Sequence, residues 1–156
     1  ANALREGKID GFWSNAMGAE TAVNGGFGKI HVDVRRGDDP SEIRFSTFAG
    51  LATTDKYIAD EPHAIDAAVR AIVSAQKALR ADPSLAQVVG KKKFPPESAA
   101  LISTIVTRDA EFYDPVISEA AIQSLNAFAQ SIGHLAGPVS YEDVVATRCC
   151  KLWTDD

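Results

Sequence analysis

The chain has 156 residues, of which 46% are hydrophobic and 24% are charged, the balance of an ordinary globular domain. This length allows one substantial hydrophobic core and hardly two. The net charge of -5 argues against a nucleic-acid-binding protein, which needs a basic face. No window approaches the roughly 18 to 20 apolar residues that a membrane span requires.

The first predicted elements are a helix end, a strand, a helix and a second strand. Residues 1–6 read as the last turn of a helix closed by Gly7, so we expect the chain to be the later part of a longer protein. Ile9 to Trp13 is a short apolar strand, and Gly28 to Val34 alternates apolar and polar residues. Ala16 to Gly25 carries helix formers between them. The pattern predicts one βαβ unit.

The rest of the chain is predicted to be mainly helical. A β-prone stretch from Ile43 to about Thr53 comes first. Glu61-Pro62 then starts a helix whose apolar stripe runs to Leu79 and which ends at Asp82-Pro83. Further helices are predicted over Pro83 to Val89, over Glu97 to Val106, from a Ser118 cap to Gly133, and from about Ser140 onward. Lys91-Lys92-Lys93, between two of them, predicts a solvated loop.

The two cysteines, Cys149 and Cys150, are neighbours in the sequence. A bond between them would strain the normal disulfide geometry and could not join distant parts of the chain. The fold therefore does not depend on disulfides, which leaves the redox compartment open. Because no third thiol exists to complete a soft-metal site, we expect no metal.

Three segments, in order, resemble one known family. They are "ALREGKIDGFW" with "GAETAVNGG", then "GLATTDKYIADEPHAIDAAVRAIVSAQKALRADPSLA", then "YDPVISEAAIQSLNAFAQSIGHLAGPVSYEDVV". Together they resemble the type 2 periplasmic binding proteins of nitrate-, sulfonate- and taurine-type ABC importers, with the thiamine-pyrimidine synthases as relatives. The chain departs from the family at Met17 and Gly18, where many members carry an acidic residue and a proline.

The resemblance implies an α/β fold, the C-terminal part of a two-lobed protein whose N-terminal half is absent. Residues 1–42 would be the end of the second lobe, and residues 43–156 the crossing strand and the C-terminal helices of the first. The implied function is to hold a small anionic or flat polar molecule in an interlobe cleft and to present it to a membrane permease. The implied location is periplasmic or membrane-associated outside the cytoplasm, with no cofactor.

The candidate ligand-binding residues follow two predicted strands. Ligands of open α/β sheets bind beyond the carboxyl ends of the strands, which would place Trp13, Ser14 and Asn15 at the mouth of the cleft. An indole, a hydroxyl and an amide suit a flat polar molecule or a small anion. Thr53 and Thr54 could repeat the arrangement. The alternatives are a core position for Trp13, a helix N-cap for Ser14-Asn15, and a capping turn for the two threonines.

Catalysis has little support in the sequence. The three histidines, His31, His63 and His134, are far apart, and no G-x-S-x-G elbow is present. A pyrimidine-precursor synthase is the enzyme alternative, and it would need a cofactor lysine and a histidine upstream of this chain. A third hypothesis is a homodimer that forms through unpaired strand edges and binds no ligand.

Overall fold

The computed structural model describes residues 1–40 and 49–154, and these residues form helices, turns and irregular segments without a strand. The helices are α1 (Asn2–Arg5), α2 (Ala16–Asn24), α3 (Asp55–Asp60), α4 (Pro62–Ala81), α5 (Leu85–Lys93), α6 (Pro96–Asp109), α7 (Glu119–Ser131), α8 (Tyr141–Val144) and α9 (Lys151–Thr154). Short 3-10 turns cover Val34–Arg36, Ala110–Phe112 and Thr147–Cys149.

The predicted helices are confirmed, because their start and stop signals are local. The Ser118 hydroxyl accepts a hydrogen bond from the Ala121 amide at 3.1 Å and starts α7. Ser140 caps α8 in the same way. Helix α4 ends at Ala81, immediately before Asp82-Pro83, and Gly7 follows α1 with a φ of 67°. Each of these ends is set by one capping oxygen, one proline or one glycine.

The predicted α/β fold is wrong. Ile9 to Trp13 is irregular, and so is Gly28 to Asp33, with a 3-10 turn beginning at Val34. Of the stretch from Ile43 to Thr53, residues 43–48 lie outside the described residues, and residues 49–53 have no regular structure. The βαβ unit expected within residues 1–42 is therefore not formed by residues 1–40.

The reason lies in what a strand requires. A strand forms only where a neighbour pairs with its backbone N–H and C=O groups and where one of its faces is buried. Here the apolar side chains that suggested strands stay exposed: Ile9 by 39%, Ile30 by 39% and Val32 by 48%. Without a buried face, the alternating pattern has nothing to fix it as a strand.

The described chain divides into two compact units, and the division falls within α4. The first unit comprises residues 1–33 and 76–113. In it α5 and α6 pack closely, because a Cβ added at Gly90 would come within 3.3 Å of the Ala99 Cβ. Helix α2 packs on α6 and buries Ala22 and Glu20. Small residues thus set the spacing of the α5–α6 pair.

The second unit comprises residues 34–75 and 114–156. Its core is formed by Ile65, Cys149 and Leu152, which are 6%, 3% and 2% exposed, with Ile58 and Val69 packed against them. Two polar contacts join segments distant in sequence. The Asn126 amide bonds both the N–H and the C=O of Val139, at 3.0 and 2.7 Å. The Tyr141 hydroxyl donates to the Ile117 carbonyl at 2.5 Å.

Candidate functional site

The first three predicted site residues lie at the start of α2. Trp13 is 71% exposed. The Asn15 side-chain oxygen accepts a hydrogen bond from the Gly18 amide at 3.3 Å, which makes Asn15 the N-cap of α2. Ser14 packs over the same turn, since a Cβ added at Gly18 would clash with its hydroxyl. The N-cap alternative therefore describes Asn15, and the core alternative for Trp13 is not what the structure shows.

The two threonines start a different helix. The Thr54 hydroxyl accepts a hydrogen bond from the Tyr57 amide at 3.1 Å and caps α3, while Thr53 is exposed beside it. Trp13, Ser14 and Asn15 belong to the first unit, and Thr53 and Thr54 belong to the second. Neither group follows a strand, so the sheet-edge cleft that was expected to join them does not form in the described residues.

What remains at the start of α2 is an indole next to a helix N-terminus. An exposed indole offers a flat face and one N–H donor. The first amides of a helix carry partial positive charge, which favours an anion close by. These groups suit the small anionic or flat polar ligand that the sequence predicts. The role of Trp13, Ser14, Asn15, Thr53 and Thr54 in binding a ligand stays a prediction.

A buried charge cluster escaped the sequence analysis. The Arg108 guanidinium forms an ion pair with Glu20 of α2 and contacts both carboxylate oxygens of Asp109, at 2.6 and 2.8 Å. Glu20 and Asp109 are each 5% exposed. The hydrogen bonds to Asp109 raise the pKa of Arg108 above its ordinary value, although burial opposes them. No spacing rule relates positions 20 and 108, so the sequence gave no signal for this contact.

A groove between α5 and α6 also escaped the sequence analysis. Its volume is about 350 Å³, and it is lined by Gln87, Lys91, Phe94, Pro96, Ala99 and Ala100. The prediction of a solvated loop at Lys91-Lys92-Lys93 is wrong, because these residues form the last turn of α5. A lysine run ahead of Phe-Pro-Pro also fits a helix end, since cations stabilise the negative C-terminus of a helix.

The described residues assemble no candidate metal centre. Within residues 1–40 and 49–154, no three His, Cys, Asp or Glu side chains lie close enough together to hold a metal ion. Helices long and apolar enough to cross a membrane are likewise absent from this part of the chain.

Comparison with protein-family models, with curated proteins and with solved structures yields no match to this chain.

Proposed function

We propose that this chain is a solute-binding component of an ABC-type importer, which holds a small anionic or flat polar molecule and presents it to a membrane permease. The ordered resemblance of three segments to nitrate-, sulfonate- and taurine-type binding proteins carries the proposal. The same resemblance implies a location outside the cytoplasm. Because no sheet forms in the described residues, the proposal assigns the ligand to the exposed Trp13 at the start of α2 rather than to a strand mouth.

Two features of the helices support the proposal. Helix α4 (Pro62–Ala81) spans the helical part of the second resembling segment, and α7 and α8 lie within the third. The indole of Trp13 is exposed beside a capped helix N-terminus, where an anion or a flat ring is favoured. The order of helices and the chemistry at Trp13 are thus compatible with binding a small solute.

The test is calorimetric titration of the purified chain with nitrate, taurine and ethanesulfonate. We expect saturable binding of at least one of them. Trp13→Phe should weaken it about fivefold, or roughly 1 kcal/mol, since the larger ring and its N–H are lost. Trp153→Phe is the matched control, because Trp153 is the other tryptophan and lies in α9 of the second unit. Failure of all three solutes to bind, or equal weakening by both substitutions, would contradict the proposal.

Self-association is a second candidate, favoured by the exposed apolar side chains. Val89 is 56% exposed, Val144 54% and Leu51 53%. Large exposed apolar surfaces commonly mark contacts with another protein. The strand edges first expected to drive association are not formed in the described residues, so these side chains replace them as the reason.

Native and denaturing mass spectra separate the candidates. A dimer that carries no small molecule supports self-association and counts against solute binding. A small molecule that leaves on unfolding supports solute binding, and its mass begins to identify the solute. A bound species that absorbs as a cofactor does would instead favour the pyrimidine-precursor synthase.

A further inference from the structure

The groove between α5 and α6 combines apolar walls with a cation at its rim. Ala99 and Ala100 of α6 form one wall, and Phe94 and Pro96 in the connection between the helices form the floor of apolar contacts. Gln87 and Lys91 complete the lining. They are four residues apart on α5 and therefore neighbours on one face of that helix. A volume of about 350 Å³ lies in the range of small-molecule sites.

The space exists because the facing residues are small. Gly90 and Ala99 let the two backbones approach, and a Cβ at Gly90 would already be 3.3 Å from the Ala99 Cβ. Ala100, next along α6, leaves its part of the groove unfilled. Phe94 is 51% exposed, so one edge or face of its ring is available to a ligand. The helix spacing and the short side chains together leave an apolar slot beside Lys91.

The charge near the groove favours an anion. Within the described part of the chain, Lys91 forms no ion pair, and Lys92 and Lys93 follow it in the last turn of α5. Three ammonium groups outweigh the negative end of the helix, which amounts to roughly half an elementary charge. The groove is therefore a locally positive place on a protein whose net charge is -5.

We propose that this groove binds a small aromatic carboxylate. The ring lies against Phe94 and the alanines, the carboxylate pairs with the Lys91 ammonium, and the Gln87 amide donates a second hydrogen bond. A flat ring fits the slot, and a single carboxylate matches the single cation that lines it. This site is separate from Trp13 and does not depend on a role in solute uptake.

The probe is 2-naphthoate, titrated calorimetrically into the whole chain. Lys91→Met keeps the aliphatic stem and removes the charge, and we expect it to weaken binding about fivefold, as for an exposed ion pair. Lys92→Met is the matched control: it removes the same charge from the next residue, which does not line the groove, and it should change the affinity by less than about twofold. The neutral analogue 2-naphthamide should bind wild type as weakly as 2-naphthoate binds Lys91→Met.

A second variant tests the apolar slot. Ala100→Leu fills the groove from the exposed side of α6, and it should abolish 2-naphthoate binding while the circular-dichroism spectrum and the unfolding midpoint stay near those of wild type. Equal weakening by Lys91→Met and Lys92→Met, or unchanged binding by Ala100→Leu, would overturn the proposal. Trp13→Phe should leave 2-naphthoate binding unchanged, so failure at this groove and failure of the uptake role are distinguishable.

Discussion

At the scale of single residues, Tyr141 connects stability to pH. Burial raises the pKa of the Tyr141 phenol above its ordinary value of 10.0, and negative charge on Cys150, Glu119 and Glu142 raises it further. The hydrogen bond that its hydroxyl donates to Ile117 also requires the phenol proton. The folded state therefore keeps a proton that the unfolded chain releases near pH 10. The stabilisation is complete below that pH and is lost as pH rises through the folded-state pKa.

Replacing Tyr141 by Phe should show both effects. At pH 7 we expect a loss of about 1 kcal/mol in the free energy of unfolding, because the Ile117 carbonyl loses its donor. Between pH 9 and pH 11, about the range set by an ordinary tyrosine, the variant should lose stability less steeply than wild type. Urea unfolding across this range measures both. Tyr57→Phe is the control, since Tyr57 is 48% exposed, and equal slopes for the two variants would contradict the assignment.

At the scale of elements, Arg108 joins α2 to α6. Its guanidinium neutralises Glu20 and Asp109, two carboxylates that are otherwise almost fully buried. Arg108→Met keeps the aliphatic stem but leaves both charges in a poorly hydrated site. Removing one partner of a buried ion pair typically destabilises a protein by about 3 to 5 kcal/mol, and we expect a loss in that range.

The measurement is the urea midpoint of Arg108→Met against Lys56→Met. Lys56 pairs with Asp60 on α3, but the two side chains are 84% and 54% exposed, so this substitution should remove less than about 0.5 kcal/mol. Comparable losses for the two variants would show that Glu20 and Asp109 are hydrated in the folded protein and that the cluster does not hold α2 on α6.

Elements also show what the sequence could predict. Helix α4 follows from a proline start, an apolar stripe and a proline stop, and α7 follows from its Ser118 cap, all of which act within a few residues. The strands were wrong because a strand depends on a partner elsewhere in the chain, which periodicity cannot reveal. The groove at Lys91 was missed because it needs the packing of α6 on α5, and its lysines alone suggested only solvation.

At the scale of the whole molecule, the described residues form two helical units with modest cores. In the second unit three residues, Ile65, Cys149 and Leu152, make up the buried cluster. Elsewhere, large apolar side chains such as Trp13 and Val89 stay exposed. Such surfaces are typical of proteins that bind a ligand or another chain, and they are the common basis of both candidate functions.

The backbone carbon chemical shifts of Ile9 to Trp13 and Gly28 to Val34 test the central claim, a helical fold in which these segments form no sheet. We expect shifts near random-coil values and no cross-strand contacts in either segment, together with helical shifts over Pro62–Ala81 and Glu119–Ser131. Strand-type shifts in both segments, with nuclear Overhauser contacts between them, would contradict the account. That result would restore an α/β fold and move the ligand back to the carboxyl end of a strand.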